Sequence, residues 1–390
     1  MPIVYPYQQY QGVWTLSQAS DAVAQSKWPV PPPKYTLYSW GRNNQGQLGL
    51  NNTTNYSSPV QVGSLTNWLV LSSGSYNTIA VKSDGTLWSW GYNAYGQLGL
   101  GSTNTYYSPV QVGALTNWST VSCGSFFSIA IKTDGTLWAW GRNDSGQLGQ
   151  GNLTNYSSPK QVGSLTTWSF ISTNSSQSFA IKIDGTLWSW GNGGGGQLGF
   201  GNSTSYSSPK QVGSLTNWYR FSAGGISVIA VKTDGTLWTW GQGATGALGL
   251  NNRTNYSSPM QVGSLTTWLN VSAGAYSAMA TRTDGTLWSW GRNTLGQLGL
   301  GNTTNYSSPI QVGVLTNWSK VYSGGTNSSS VSSSFAIKSD KTLWAWGSNN
   351  YGQLGLNNRT SYSSPKQVGS LANWLSLSSG LYNTIANTIA

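Results

Sequence analysis

Read for alternation of apolar and polar positions, residues 68–112 break into four short extended runs. Trp68–Ser72 is the first. Asn77–Lys82 is the second, with Ile79 and Val81 on one face and Ala80 on the other. Thr86–Trp90 is the third, and a side-chain period of two puts Leu87 on one side and Trp88 and Trp90 on the other. Pro109-Val110-Gln111-Val112 is the fourth, with its Pro at a strand start, where a missing N–H is tolerated. Asp84-Gly85, between the second and third runs, reads as a two-residue hairpin of the primed type. Gly91–Ser108 reads as a loop punctuated by Gly96 and Gly99.

The unit recurs. Asp84-Gly85-Thr86-Leu87-Trp88-Ser89-Trp90-Gly91 returns at Asp134, Asp184, Asp234 and Asp284 with a spacing of fifty residues. A variant, Asp340-Lys341-Thr342-Leu343-Trp344-Ala345-Trp346-Gly347, comes six residues late, and a headless copy, Thr36–Gly41, opens the series of seven. A fixed period of this size signals a repeat architecture. Four antiparallel strands per period, seven times over, predict an all-β chain folded as a seven-bladed β-propeller. The ends complement each other: the repeats enter at a third strand, Lys34–Trp40, and stop within a second, Asn383–Ala390. Pairing these ends completes one shared blade and removes the exposed sheet edges. Lys341 stands where the other turns have Gly, so an irregular hairpin or a strained lysine is expected there.

Residues 1–33 stand outside the repeat. Met1–Gln11, rich in Tyr and Gln, reads as extended. Trp14–Ala24 reads as a short helix capped by Thr15 or Ser17, and Trp28-Pro29-Val30-Pro31-Pro32-Pro33 as a stiff connector. The expected organisation is an arm or docking segment, 1–33, carrying Tyr5, Tyr7, Trp14 and Trp28, and a propeller, 34–390.

Composition narrows the chemistry. Of 22 Trp, thirteen lie in the repeated stretch, seven follow Leu-(Thr/Ala)-(Asn/Thr), and Trp14 and Trp28 complete the count. Such a regular ladder reads as core packing. The net charge is +11, with no His and no Glu, and six of the eight Asp share one turn position. Only Asp21 and Asp144 are left over. General acid–base work wants His or paired carboxylates, and metal sites want clustered ligands. No catalytic residue, cofactor or metal is therefore expected, and the chain is read as a non-enzyme. Cys123 is alone, so no intrachain disulfide is available. It takes the place of Ser73 or Ala223 in sister repeats and reads as a small buried residue. No apolar run reaches membrane-spanning length, and no secretory signal pattern opens the chain.

At Asp-Gly-Thr-Leu-Trp-x-Trp-Gly-x-Asn-x-x-Gly-Gln-Leu-Gly the chain closely resembles the regulator of chromosome condensation repeat, over residues 34–390. The resemblance implies a seven-bladed propeller closed by strands from both ends. It implies a function among guanine-nucleotide exchange on a small GTPase, chromatin binding, ultraviolet sensing in plants and scaffolding. Departures matter. Family repeats usually carry a His shortly after the Gly that follows the first strand; that slot holds Asn77, Phe127, Gln177, Ser227, Ser277 and Asn383. No position takes over the exchange factor's acidic and His residues, and the photoreceptor's Gly-Trp-Arg-His-Thr signature is missing. In the arm, Gly12-Val13-Trp14-Thr15-Leu16 to Lys27-Trp28-Pro29 is similar to a short segment common in structural and tail proteins of marine tailed bacteriophages.

Positions that differ between copies are free to specialise, and loops on a rigid scaffold are where binding usually sits. After the first strand these are Tyr76-Asn77, Phe126-Phe127, Tyr276 and Tyr382, with Asn327 in an insertion of the sixth repeat. After the third strand they include Tyr92 and Tyr95, with Arg42, Arg142-Asp144, Arg292-Leu295 and Asn350-Tyr351 at matching sites. Lys82, Lys132, Lys182, Lys232, Arg282 and Lys338 recur at one repeat position and must form a circle in a closed ring. That circle either attracts anionic surfaces or keeps exposed outer strands from unwanted pairing. Asn192–Gly196 is no phosphate loop, since no Lys-Ser or Lys-Thr follows it.

These readings lead to an expected role as a structural protein of a tailed-phage virion, in a tail fibre, adhesin or capsid decoration. Residues 1–33 would dock to other virion proteins, and the propeller would bind a host-surface glycan or protein from an oligomeric assembly on the particle surface. No membrane insertion is expected, and nucleic acid is the lesser partner. The alternative is a cytoplasmic interaction propeller, nucleotide-exchange-like or chromatin-binding, in keeping with the +11 charge.

Overall fold

In six of the seven blades an alanine on the second strand stands opposite a tryptophan on the third, and in the seventh Ala386 stands opposite Tyr38. In blade 1, Ala80 on the second strand pairs in register with Trp88 on the third, so a methyl group leaves room for an indole. A computed structural model describes residues 33–325 and 332–389. Among them are 28 strands and no helix. They pair into seven four-stranded sheets. Blade 1 runs Trp68–Ser73, Asn77–Lys82, Leu87–Gly91 and Tyr106–Gln111 in spatial order. Blades 2 to 6 repeat it. The extended run and short helix expected before residue 33 lie outside the described residues.

The core sits between blades rather than within them. Ile79, Val81 and Leu87 of blade 1 meet Trp118, Ala130 and Trp140 of blade 2 in one buried cluster. Each such aliphatic side chain contributes about 1.5–3 kcal/mol on burial. The expected faces of the second and third strands are therefore the observed ones.

The Gly-Gln-Leu-Gly stretch locks neighbouring blades together. The Gln97 carbonyl accepts hydrogen bonds from Trp140 Nε1 and Ser128 Oγ of the next blade, both at 2.9 Å. Gly99 closes under the same indole with φ at 75°, and a Cβ there would lie 2.8 Å from Trp140 Nε1. The first-strand tryptophans behave differently. Trp68 has no conventional acceptor for its indole N–H. It lies edge-on to Trp88 and Trp90 at 6.0 and 5.8 Å, an arrangement in which an indole edge meets a π face.

Blade 7 is built from both chain ends. Tyr35–Gly41 pairs antiparallel with Asn383–Ile389, with Ser39 opposite Ile385. Tyr56–Gln61 and Trp374–Ser379 flank that pair. Leu37 and Ile385 share one buried cluster with Trp68 and Trp90 of blade 1. Closure thus follows from where the repeat is cut.

Two local expectations need correcting. The hairpin after the second strand is not a two-residue primed turn, which requires positive φ at its first central residue, here Asp84. Gly85 N–H donates to the Lys82 carbonyl and Lys82 N–H to the Thr86 carbonyl, both at 3.0 Å. Among Ser83, Asp84 and Gly85 only Gly85 has positive φ, at 77°. This is a three-residue loop: a type I turn followed by a left-handed residue. Lys341 adopts the same loop with φ at 63° and matching bonds of 2.9 and 3.0 Å, so the expected anomaly is strain, not irregularity. The fourth strand begins at Tyr106 rather than Pro109, because the register jumps between Ser89–Val110 and Gly91–Tyr106 pairs. The bulge accommodates Pro109 without a ladder bond.

Candidate functional site

Antiparallel pairing sends two sets of connections to opposite sides of the ring. The first-to-second and third-to-fourth connections share one side, the loop face. The three-residue hairpins and the blade-to-blade connections share the other, the hairpin face.

On the loop face, side chains from four consecutive blades join. Tyr351 of blade 6 meets Tyr382 of blade 7 edge-on at 4.9 Å. Tyr382 lies 6.3 Å from Tyr76 of blade 1, which stacks with Phe126 of blade 2 at 6.3 Å. Tyr92 touches both Tyr76 and Phe126, at 6.3 and 6.1 Å, and Tyr95 lies 5.3 Å from Phe126. Arg42 spreads its guanidinium over Tyr382, Tyr351 and Tyr76 at 4.9, 5.0 and 5.8 Å. Arg142 lies over Tyr95 and Phe126 at 5.2 and 5.8 Å and pairs with Asp144. Arg42 has no carboxylate in salt-bridge reach among the described residues. All these rings are half-buried. Their mutual contacts hold them in place, so little side-chain entropy remains to be lost on binding.

Blades 3 and 4 offer nothing comparable. At the matching sites they carry Ser176 and Asn192, then Ile226 and Gln242. Blade 5 keeps a detached pair, Arg292 over Tyr276 at 5.6 Å.

Six of the nine loop residues singled out in the sequence therefore surface on this face, five of them in one cluster: Tyr76, Tyr92, Tyr95, Phe126 and Tyr382. Asn77 and Phe127 are corrections. Both open a second strand and are fully buried. Phe127 enters the core between blades 2 and 3, into space left by Gly124, whose missing Cβ would collide with it. Asn77 Nδ2 donates inward to Cys123 Sγ at 3.8 Å. Asn327, like Tyr5, Tyr7, Trp14 and Trp28, lies outside the described residues. Arg42, Arg142 and Tyr351 were visible only as variable positions; adjacency around a closed ring is the signal that joins them to the cluster.

The basic circle is also relocated. Lys82 ends the second strand, not an exposed outer one, and is only 5% exposed. Its ammonium sits 3.6 Å from the centre of Trp88 and 4.8 Å from Trp68. Lys132, Lys182, Lys232 and Lys338 repeat this at 3.7, 3.7, 3.6 and 3.9 Å from their third-strand Trp, and Arg282 does so at 5.6 Å. Such contacts contribute about 1–2 kcal/mol where water is excluded. Burial pulls the Lys82, Lys132, Lys182 and Lys232 ammonium groups below the usual lysine range, and the aspartate two residues on pushes back. Blade 7 has Thr388 opposite Trp374, so the circle is open there.

The turn aspartates are equally committed. Asp134 Oδ1 accepts from Thr136 N at 2.9 Å and from Thr136 Oγ1 at 2.6 Å. Thr136 Oγ1 in turn accepts from Trp138 Nε1 at 2.9 Å. The threonine hydroxyl, then its backbone N–H, holds Asp134, Asp184, Asp234, Asp284 and Asp340 below the ordinary carboxylate range. Cys123 is buried, and burial pushes its thiol up to about 11.

Comparison with known proteins agrees with this geometry. The family model described as RCC1-like domain matches residues 33–228. The model for the regulator of chromosome condensation (RCC1) repeat matches 234–281, 284–331 and 340–386. No curated protein matches the chain. Among solved structures, human WBSCR16 superposes with a TM-score of 0.80 at 19% identity, over 91% of this chain and 98% of that one. Prp20p from Saccharomyces cerevisiae, described with its binding properties to Gsp1p and histones, superposes at 0.79 and 17% identity, over 92% of each chain. Yeast RCC1 (Prp20), in a crystal structure described as Kap60 bound to it, gives 0.78 at 17% identity, over 92% of this chain and 89% of that one. At such identities the likeness is one of fold.

Proposed function

The chain belongs to the regulator of chromosome condensation (RCC1) repeat family, and on that premise we propose that it is a non-catalytic propeller that grips a protein partner through the aromatic and arginine residues of its loop face. One observation carries this reading. Six rings and two arginines from four adjacent blades gather in one sector, while the same scaffold two blades on presents Ser, Gly and Asn. Tyr and Arg are the residue types that dominate binding hot spots, and aromatic anchors with few rotatable bonds are the usual currency of binding loops.

A relative of the same fold, yeast Prp20, lends support, since its two structures are described with protein partners: Gsp1p and histones in one, Kap60 in the other. The inventory argues against chemistry. The chain has no His and no Glu, the turn aspartates are tied to threonines, and Asp144 is paired with Arg142. This reading goes with the cytoplasmic alternative. The virion role rests on the arm's resemblance and the empty catalytic inventory, and neither the fold nor the relatives add to it. Residues 1–33 are retained as a docking segment for the 34–390 propeller on the sequence reading.

Affinity capture with three baits tests the proposal: the natural chain, Arg42→Ala/Tyr382→Ala, and Ser176→Ala/Asn192→Ala. A protein retained by the first and third and lost by the second is expected. Equal retention by all three contradicts it.

A further inference from the structure

We infer that the axial cavity of the propeller is a site for one small oxyanion of the phosphate or sulfate class. The inference does not depend on the loop-face reading. The first strands of all seven blades surround the axis and line a cavity of about 160 Å³. Its wall is a ring of hydroxyls, one per blade: Ser72, Ser122, Ser172, Ser222, Ser272 and Ser378, with Tyr322 in the remaining place.

The ring has a polarity. Each serine oxygen accepts a backbone N–H from the next blade: Ser72 from Cys123 at 2.9 Å, Ser122 from Thr173 at 3.0 Å, Ser172 from Ala223 at 3.3 Å. Ser222 accepts from Ala273 at 3.0 Å, Ser272 from Ser323 at 2.8 Å and Ser378 from Ser73 at 2.9 Å. A hydroxyl that already accepts still has its hydrogen to donate. Ser122 is within 2.9 Å of Thr173 Oγ1, so that pair can satisfy itself. The Tyr322 phenol meets the Leu377 backbone and Ser72 meets the Cys123 thiol. Ser172, Ser222, Ser272 and Ser378 can each turn a hydrogen into the cavity, which suits an acceptor-rich guest.

Charge points the same way. Two residues before Ser222 and Tyr322 on their strands stand Arg220 and Lys320. Arg220 donates to Asn270 Oδ1 at 3.0 Å, and Lys320 donates to the Leu375 carbonyl at 2.7 Å. Both partners are neutral, and no carboxylate lies in salt-bridge reach of either among the described residues. Burial and then the Arg220 charge hold Lys320 below the usual lysine range. Burial pushes the Tyr322 phenol up, so it keeps its proton, and the Arg220 charge reaches it as well. Neither cation lines the cavity itself. Both stand two residues along strands that do, without a counter-charge, and an anion held in the cavity would relieve their field. The cavity has room for one tetrahedral oxyanion with water.

Calorimetric titration of the full chain with inorganic phosphate and sulfate tests the site. Saturable binding of one phosphate or sulfate per chain is expected. Arg220→Gln/Lys320→Gln should weaken phosphate binding about a hundredfold, as removal of two nearby positive charges implies. A melting curve unchanged from that of the natural chain would show that the variant keeps the fold. Absence of saturable binding, or equal affinity in the double variant, would overturn the inference. The last would mark an adventitious ion on a basic protein.

Discussion

Two sectors of one face differ sharply although the frame beneath them is the same. Under the aromatic sector, Trp90 donates to the Gln47 carbonyl at 3.0 Å; under the plain sector, Trp190 donates to the Gln147 carbonyl at 2.9 Å. Both indoles are fully buried. The turn relay is likewise duplicated, from Asp84 through Thr86 to Trp88 and from Asp184 through Thr186 to Trp188. What differs is the layer above: Tyr76, Tyr92 and Tyr95 in one sector, Ser176, Asn192 and Gly195 in the other. In a repeat protein the copies control for one another. Residues that every copy needs are packing, and residues that adjacent copies add together are available for recognition.

The largest expected effect sharpens the claim that the frame is shared. Trp90→Ala and Trp190→Ala should each cost about 3–5 kcal/mol, equally within error, by denaturant unfolding. A large inequality would mean that the sectors differ below the loops. Next comes binding. Tyr76→Ala, Tyr382→Ala and Arg42→Ala should each weaken the partner complex by about 2 kcal/mol or more, the scale of hot-spot truncations. Ser176→Ala and Gln242→Ala should leave it unchanged, as read by interferometry with the captured partner. A smaller effect concerns the frame alone. Lys341→Gly should raise stability by roughly 1 kcal/mol, by relieving a left-handed side chain at some cost in unfolded-state entropy; an unchanged melt would deny the strain.

The smallest effect is one of pH. The turn carboxylates are depressed in the folded state, so their stabilisation is complete above the unfolded carboxylate range, near about 3.9. It is lost as pH falls through the lower folded values. Thermal melts should be flat from neutral pH to about 5 and decline below 4. Replacing Asp134 or Asp184 by Asn should blunt that decline to the same extent in either sector.

Much of the fold was legible because its signals are periodic. Alternation gave the second and third strands with their faces, and the phase of the chain ends gave the shared blade, down to Leu37 and Ile385 in one cluster. The turn type was not legible, since Asp-Gly fits both a two-residue and a three-residue loop, and only the Gly85–Lys82 bond separates them. Burial of Asn77 and Phe127 was missed because a strand's first residue looks like loop in sequence, and the Gly that makes room for Phe127 sits three positions earlier. The lysine circle was found, but nothing local says that Trp68 and Trp88 roof over Lys82. The cluster was half legible: its residues were variable positions, yet Tyr351, Tyr382 and Tyr76 are scattered in sequence, and only closure makes them neighbours.

Site-specific photocrosslinking in cells tests the central claim most directly, with benzoylphenylalanine replacing Tyr76, Phe126 or Tyr382 in turn, and Ser176 or Ile226 as the plain-sector counterparts. Adducts to one common protein from the three aromatic positions, and none from the other two, are what a binding face in this sector requires. The same adduct from Ser176 and Ile226, or adducts from those two alone, would contradict it.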